Sequence, residues 1–396
     1  MQPFEGSGGT HLAKNQTYDV AVIGAGVFGS WAALHLVRAG QRVALVDAYG
    51  PGNARASSGG ESRLIRMGYG PDELYTRWSV RSLELWKEFF ASVGKPLFHK
   101  TGILWIANQE EDAQMSATVA VLAKVGVPHE KFAHAELARR YPQIAFSAGS
   151  WGILEPESGV LMARRAVAAV AEAAAAEGAE YFNERVSAPV GSGRAEIVKT
   201  ESGREIRAGQ FVFACGPWLG KVFPTLLGQR IFPTRQEVYF FGVPAGDSRF
   251  APPAMPGWMC VSELMYGMPD LESRGFKIAH DQHGPSFDPD TGVRVPTAEG
   301  IGAARAYLAQ RFPALADAPL VEARVCQYEN TSNGDFLVDR HPEHENVWLV
   351  GGGSGHGFKH GPAMGEYVVA RVLGKAAEEP RFSLATKTTV QQRMVY

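Results

Sequence analysis

Four cations in this sequence sit where they could meet a ligand. Arg63 and Arg66 lie in the run Glu61-Ser62-Arg63-Leu64-Ile65-Arg66, just after a loop rich in glycine and serine. On a helix, residues three apart share a face, so the pair could present two guanidinium groups to one anion; two solvated arginines are the plainer alternative. Lys277 lies in Gly275-Phe276-Lys277-Ile278-Ala279, where alternation sends Phe276 and Ile278 one way and Lys277 the other. Its small neighbours leave room for a ligand, although a solvent-facing lysine would read the same. Lys359 ends the glycine-rich run Gly351-Gly352-Gly353-Ser354-Gly355-His356-Gly357-Phe358-Lys359. Cys326 and Tyr328, two apart in an apolar extended stretch, share one face. Taken alone, Cys326 would be a small buried hydrophobe.

Residues 18–47 supply a scaffold for such a site. The apolar run 19–23 ends in Gly24-Ala25-Gly26-Val27-Phe28-Gly29, residues 30–39 read as a helix stopped by Gly40, and 42–46 read as a second buried strand closed by Asp47. The spacing suits a dinucleotide. Gly24 makes the tight turn, Gly26 lets backbone approach a pyrophosphate, Gly29 packs helix on strand, and the helix N-terminus faces the phosphates. Asp47, about 20 residues on, is placed to accept from a ribose hydroxyl.

The whole chain of 396 residues predicts about two domains. Its net charge of -2, with no basic face, argues against nucleic acid as the main partner. Cys215, Cys260 and Cys326 are odd in number and far apart, which favours free thiols and a reducing, cytoplasmic setting. No run reaches the ~18 apolar residues of a membrane span. No metal is expected. Residues 1–16, polar and glycine-rich, are expected to be a disordered leader, and Met394-Val395-Tyr396 carries no targeting signal. Elsewhere the pattern predicts a helix opened by Pro71-Asp72-Glu73 and ending near Gly94, a strand over 99–107, and helices over 111–124, 135–140 and 163–177. A strand over 180–182 and a hairpin over 196–198 and 205–207 follow, and a separate strand over 211–214 then runs into Cys215-Gly216-Pro217-Trp218. Residues 231–283 turn β-rich with many prolines, as part of a second domain. Strands over 325–328, 335–339 and 347–350 lead to the second glycine-rich loop and a helix over 362–373.

These residues together resemble the sarcosine oxidase and N-methyltryptophan oxidase group of FAD-dependent amine oxidases, with their pipecolate oxidase relatives, in the D-amino acid oxidase superfamily. The matching stretches run in order over nearly the whole chain: the first glycine turn, Ser62 to Arg66, Glu155-Pro156 with Ser158-Gly159, Ala214 to Trp218, Gly275-Phe276-Lys277, Val325 to Tyr328, His341-Pro342-Glu343 and Gly355 to Lys359. The resemblance implies an α/β chain, α+β overall, with a Rossmann-like FAD-binding domain over 17–95, 151–228 and 321–396. A substrate domain on a mixed β-sheet, 96–150 and 229–320, is inserted into it.

The resemblance also implies roles. FAD is expected to be linked through its 8-methyl carbon to Cys326. Arg66 and Lys359 match the pair that holds a substrate carboxylate, Arg63 an arginine beside the flavin ring, and Tyr266 and Tyr328 pocket tyrosines. Lys277 matches the lysine over the flavin that promotes reaction with oxygen, and the backbone around Gly357 would steady negative charge at flavin N1 and the C2 carbonyl. Gly24, Gly26, Val27, Phe28, Gly29, Asp47, Ser58, Ser62, Val186, Cys215, Gly216, Trp218, Gly355 and Phe358 complete the cofactor set. The implied partners are a small amine with a carboxylate and O2, the implied product hydrogen peroxide, and the implied state a monomer. Two positions depart from the pattern: Gly59 stands where a histidine is found, and Asp281 replaces another, with His280 and His283 nearby. The alternatives are a dehydrogenase of the same fold that feeds a quinone or carrier protein, and a flavin module acting in tRNA modification. A plain NAD dehydrogenase would leave Cys326 and Lys359 without a role.

Overall fold

The computed structural model describes residues 17–392; the leader expected over 1–16 and the terminal Met394-Val395-Tyr396 lie outside them. Three sheets organise the described residues. The first has seven strands, in the order Leu337–Arg340, Val347–Gly351, Glu205–Phe213, Thr17–Ile23, Val43–Val46 and Glu180–Phe182, with Ile197–Lys199 pairing beside Glu205–Phe213. Its five central strands run parallel, and the flanking Leu337–Arg340 and Ile197–Lys199 run antiparallel. Parallel strands need helical crossovers that cover the sheet, which explains their continuous apolar runs. Helix Val27–Arg38 fills one such layer, packed between Ala163–Ala176 and Gly361–Val372.

The turn between Thr17–Ile23 and that helix has the geometry its glycines predict. Gly24 lies at φ +106, where a side chain is strained, and a Cβ there would stand 2.3 Å from the Ala214 carbonyl oxygen. A Cβ on Gly29 would fall 1.8 Å from the Gly24 carbonyl oxygen, so helix and strand touch backbone to backbone. Gly29→Ala must push them apart. It should lower stability by about 1–3 kcal/mol, read as a lower urea midpoint at unchanged slope.

The second sheet has eight strands, in the order Leu320–Asn330, Phe232–Phe241, Phe276–His280, Met265–Met268, Gly257–Cys260, Ile103–Ala107, Trp151–Glu155 and Glu130–Phe132. It is mixed, because Gly257–Cys260 runs parallel to Ile103–Ala107 while its other pairs are antiparallel. One face packs Phe241, Trp258, Phe276 and Ile278 against Leu308 of helix Ala298–Arg311. The alternation predicted around Lys277 therefore holds: its neighbours enter this core, and Lys277 points to the other face. A small third sheet joins Arg63–Ile65, Gly159–Leu161 and Phe98–His99.

Four expectations change. Arg63 and Arg66 do not share a helix face, since Arg63–Ile65 is a strand bonded to Gly159–Leu161. The strand expected over 99–107 is two, Phe98–His99 and Ile103–Ala107, broken at Gly102 with φ +71. Conversely, 205–207 and 211–214 join into the single strand Glu205–Phe213 along the first strand. The strand expected from 335 starts at Leu337, because the Asp335 carboxylate accepts from Tyr75 Oη at 2.9 Å and from Arg381 Nη2 at 2.6 Å. Trp151–Glu155 and Leu320–Asn330 both hydrogen bond within the second sheet.

Candidate active site

A series of cavities that share lining residues begins at the first glycine turn. Its first chamber is bordered by Gly24, Gly26, Asp47, Val186, Cys215, Gly216 and Trp218, and spans about 690 Å³ with its opening to solvent. Helix Val27–Arg38 starts at this chamber, where its Gly26 N-cap has no side chain to cap the first turn, an arrangement that suits an anion. The Val27 amide donates to Ser58 Oγ at 3.1 Å, which ties the later loop to the turn. Asp47 accepts from the amides of Ala25 at 2.7 Å and of Tyr49 and Gly50 at 2.8 Å. Burial pushes its carboxyl above the usual range, and those amides pull it back. Burial likewise pushes the Cys215 thiol up.

The next chamber is bordered by Val27, Phe28, Ser58, Arg63, Tyr328, Glu329, Gly355, Gly357 and Phe358. Glu329 was not singled out by the sequence. Its Oε1 is buried and has no hydrogen-bond partner among the described residues, and burial pushes its carboxyl up to about 7. An orphaned carboxylate oxygen beside this glycine-lined chamber fits a bound group that brings a hydroxyl donor.

Beyond it lie two chambers that share Arg63 and Cys326. Strand Leu320–Asn330 brings Cys326 and Tyr328 to one face, as their spacing predicts. Arg63 reaches across, donating from Nη2 to Cys326 Sγ at 3.3 Å and to the Ser57 carbonyl at 2.8 Å, and from Nη1 to the Ser62 carbonyl at 2.9 Å. One chamber contains Lys277, whose Nζ donates to the Ser62 carbonyl at 3.0 Å. Lys277 is 1% exposed. Burial first, then the charge of Arg63, holds its pKa well below the usual lysine range, so an anion placed beside it would draw its proton back. Ser62 also donates to Met268 Sδ at 3.0 Å. Gly59 borders this chamber, packed against the Asn53 carbonyl, and is remote from the Arg66 side.

The other chamber gathers Arg66, Tyr266, Asp281, Tyr328 and Lys359 around about 670 Å³. The Arg66 guanidinium bonds the Gly68 carbonyl and lies 4.6 Å from the Tyr69 ring centre and 4.8 Å from that of Trp105. Lys359 Nζ donates to Tyr69 Oη at 2.6 Å and to the His356 carbonyl at 3.2 Å. Burial and the nearby Arg66 depress its pKa strongly. Tyr328 Oη donates to Asp281 Oδ1 at 2.8 Å. Burial pushes Asp281 up to about 6 against that bond and both cations, and burial with the Asp281 charge raises Tyr266 to about 12. His280 is exposed, and His283 turns to Gln391 at 2.5 Å.

Support for Arg66 comes from a residue to which the sequence, though it placed it in a matching stretch, gave no role. Glu155, fully buried, accepts from the amides of Met67 at 2.7 Å and Gly68 at 2.8 Å, from Trp105 Nε1 at 2.7 Å and from Ser158 Oγ at 2.5 Å. Tyr69, His356 and His360 form a second unforeseen cluster, with Tyr69 Oη 2.7 Å from His360 Nε2 and 3.1 Å from His356 Nδ1. Burial, with Lys359 next to it, keeps His360 from protonating. The spacing of the two histidines by four was the available signal. Apart from Gly29 and Ser62, the candidate residues border these four chambers, with Asp47, Val186, Cys215 and Trp218 at the first and Arg66 and Lys359 at the last. Among the described residues, no group of three metal-ligating side chains is present and no helix is long and apolar enough to cross a membrane.

A family model described as FAD dependent oxidoreductase matches residues 19–371. Monomeric sarcosine oxidase of Bacillus sp. (strain B-0618) is 32% identical over 359 residues, covering 88% of this chain and 90% of that protein. N-methyl-L-tryptophan oxidase of Salmonella heidelberg (strain SL476) is 29% identical over 373 residues, covering 93% and 97%. Among solved structures, L-proline dehydrogenase from P. horikoshii superimposes with a TM-score of 0.80 at 22% identity, covering 93% and 97%.

Proposed function

Because the chain belongs to the FAD dependent oxidoreductase family, we propose that it oxidises an amine bearing a carboxylate to the imine and passes the electrons to O2, releasing hydrogen peroxide. The substrate class is a secondary amino acid, N-methylated or cyclic, or a primary one. The observation that carries this reading is the convergence of Arg66 and Lys359 on one chamber that meets Lys277's chamber at Cys326 and Arg63. The Gly24 to Gly29 turn would hold the phosphates of FAD, and Arg63, Tyr328 and the Gly355 to Phe358 loop would hold its ring, with Cys326 as the covalent link. When bound, it supplies the two-electron acceptor that no amino-acid side chain provides.

The protein's part is placement and charge. Arg66 and Lys359 take the carboxylate, and the stacking on Tyr69 and Trp105 keeps the guanidinium in one orientation so that little entropy is lost on binding. Tyr266 and Tyr328, neutral at any working pH, wall the amine from water. Lys277 places a positive charge where oxygen gains negative charge. The three free cysteines suit a reducing cytoplasm, and we take the active species to be a monomer without nucleic-acid or membrane partners.

The test is peroxide release in air over sarcosine, other N-methyl amino acids, pipecolate, proline and primary amino acids of both hands. Turnover of any of them is the expected result. Bleaching of the flavin without peroxide would shift the reading to a dehydrogenase, and no response at all would exclude the substrate class.

A further inference from the structure

The chamber that holds Arg66 and Lys359 contains one feature that carboxylate binding does not use: a buried acid. Two cations alone would repel an ammonium, and an amino acid at neutral pH carries both a carboxylate and an ammonium. A pocket with positive charge only would therefore have to wait for the small fraction of substrate whose amine is free. Asp281 changes this balance. It borders the same chamber, is only 8% exposed, and follows strand Phe276–His280 directly. Its backbone is fixed by its own amide, which donates to the Leu264 carbonyl at 2.6 Å. Oδ1 is taken by Tyr328, while Oδ2 has no hydrogen-bond partner among the described residues.

We propose, building on the amine-oxidation reading above, that Asp281 binds the substrate's ammonium and receives its proton, so that this pocket takes the amino acid as a zwitterion. In that step the N–H bond of the ammonium breaks, an O–H bond forms at Asp281 Oδ2, and the bonding pair stays on nitrogen as the lone pair that oxidation of the neighbouring carbon requires. No oxidant takes part. Asp281 is then a catalytic residue in the strict sense, touching the reacting nitrogen.

The surroundings favour this transfer. Tyr328 from strand Leu320–Asn330, Arg66 beyond Arg63–Ile65 and Lys359 from the Phe358–His360 turn all favour the ionised carboxylate, and burial opposes them. Tyr266 from Met265–Met268 stays neutral. Glu237 from Phe232–Phe241 also borders the chamber, but its carboxylate is engaged by Arg235, Tyr239 and Thr297. His280 and His283 flank Asp281; His280 is exposed, and burial lowers the pKa of His283, which keeps it neutral at working pH. The carboxylate is thus ionised above about pH 6. The same desolvation and the same Arg66 that depress the Lys359 ammonium would depress a substrate ammonium, bringing donor and acceptor toward equal strength.

The experiment is the pH profile of kcat/KM for peroxide release, with the best amino acid of the panel, in the wild-type holoenzyme and in Asp281→Asn. Wild type should be level through neutral pH and fall on the acid side near pH 6, as Asp281 protonates. Asp281→Asn should lose that limb and instead rise about tenfold per pH unit toward the substrate's own amine pKa, since only free amine can then react. Tyr328→Phe supplies an independent reading: loss of its bond to Oδ1 raises the Asp281 pKa, so the acid limb should move to higher pH. Wild-type turnover with an unchanged profile in Asp281→Asn would overturn this inference and leave the amine-oxidation reading standing. A loss confined to substrates with a second cationic group would overturn it in favour of side-chain recognition. Absence of turnover with every amino acid would overturn both.

Discussion

Acid-denatured wild-type protein should keep its yellow colour in the pellet, and Cys326→Ser should release it all to the supernatant. The substitution removes one sulfur and little volume, so it isolates the bond. The native variant should still be purified yellow, because the Gly24 to Gly29 turn, Asp47 and the Gly355 to Phe358 loop would hold the cofactor without it. The geometry supports the expectation. The sulfur stands 3.3 Å from Arg63 Nη2 and borders both of the last two chambers. Colour in the wild-type supernatant would refute covalent attachment while leaving FAD binding intact.

Lys277→Met should separate the two halves of catalysis. Methionine is similar in length and apolar, so it can lie beside Phe240, whose ring centre is 5.7 Å from the lysine Nζ. Anaerobic reduction of the flavin by substrate should change little, while reoxidation by O2 should slow by about 10²–10³, the usual effect of deleting one preorganised charge. Rapid-mixing absorbance measures both steps on one sample. The depressed Lys277 pKa adds a sign: wild-type reoxidation should fall as pH rises and the lysine loses its proton, below the pH at which a solvated lysine would, and the variant should show no such fall. Equal reoxidation rates in the two proteins would remove Lys277 from the oxygen reaction.

The parts of this molecule that could be read from sequence were those decided locally. The turn at Gly24 follows from a strand, a glycine spacing and a helix within thirty residues, each with its own periodicity. Cys326 and Tyr328 could be placed together because alternation along a strand needs no knowledge of its partner. Whether Arg63 and Arg66 lie on a helix stays open in the sequence because a three-residue strand is too short to show a period, and only pairing with Gly159–Leu161 reveals it. The supports were out of reach for a different reason. Glu155 meets Met67 across 88 residues of chain, and Tyr69 meets Lys359 across 290. Such pairings follow from the packing of sheets, and a buried carboxylate that satisfies two backbone amides resembles any other acid in a turn.

The order of strands in the first sheet has a consequence for how the protein is made. Thr17–Ile23 lies between Val43–Val46 and Glu205–Phe213, and Val347–Gly351 joins beyond that. A growing chain on the ribosome therefore holds its phosphate-binding turn exposed and half supported until residue 213 has emerged, and the Gly353 to Phe358 loop arrives only near the end. Closing pairs so distant is slow, and the unpaired strand edge is open to association meanwhile. Chains halted before residue 205 should be unable to retain the cofactor and should depend on chaperones. Supplying the vitamin precursor of FAD during expression should raise soluble yield through capture of the completed fold, more than through any effect on the early part of the chain.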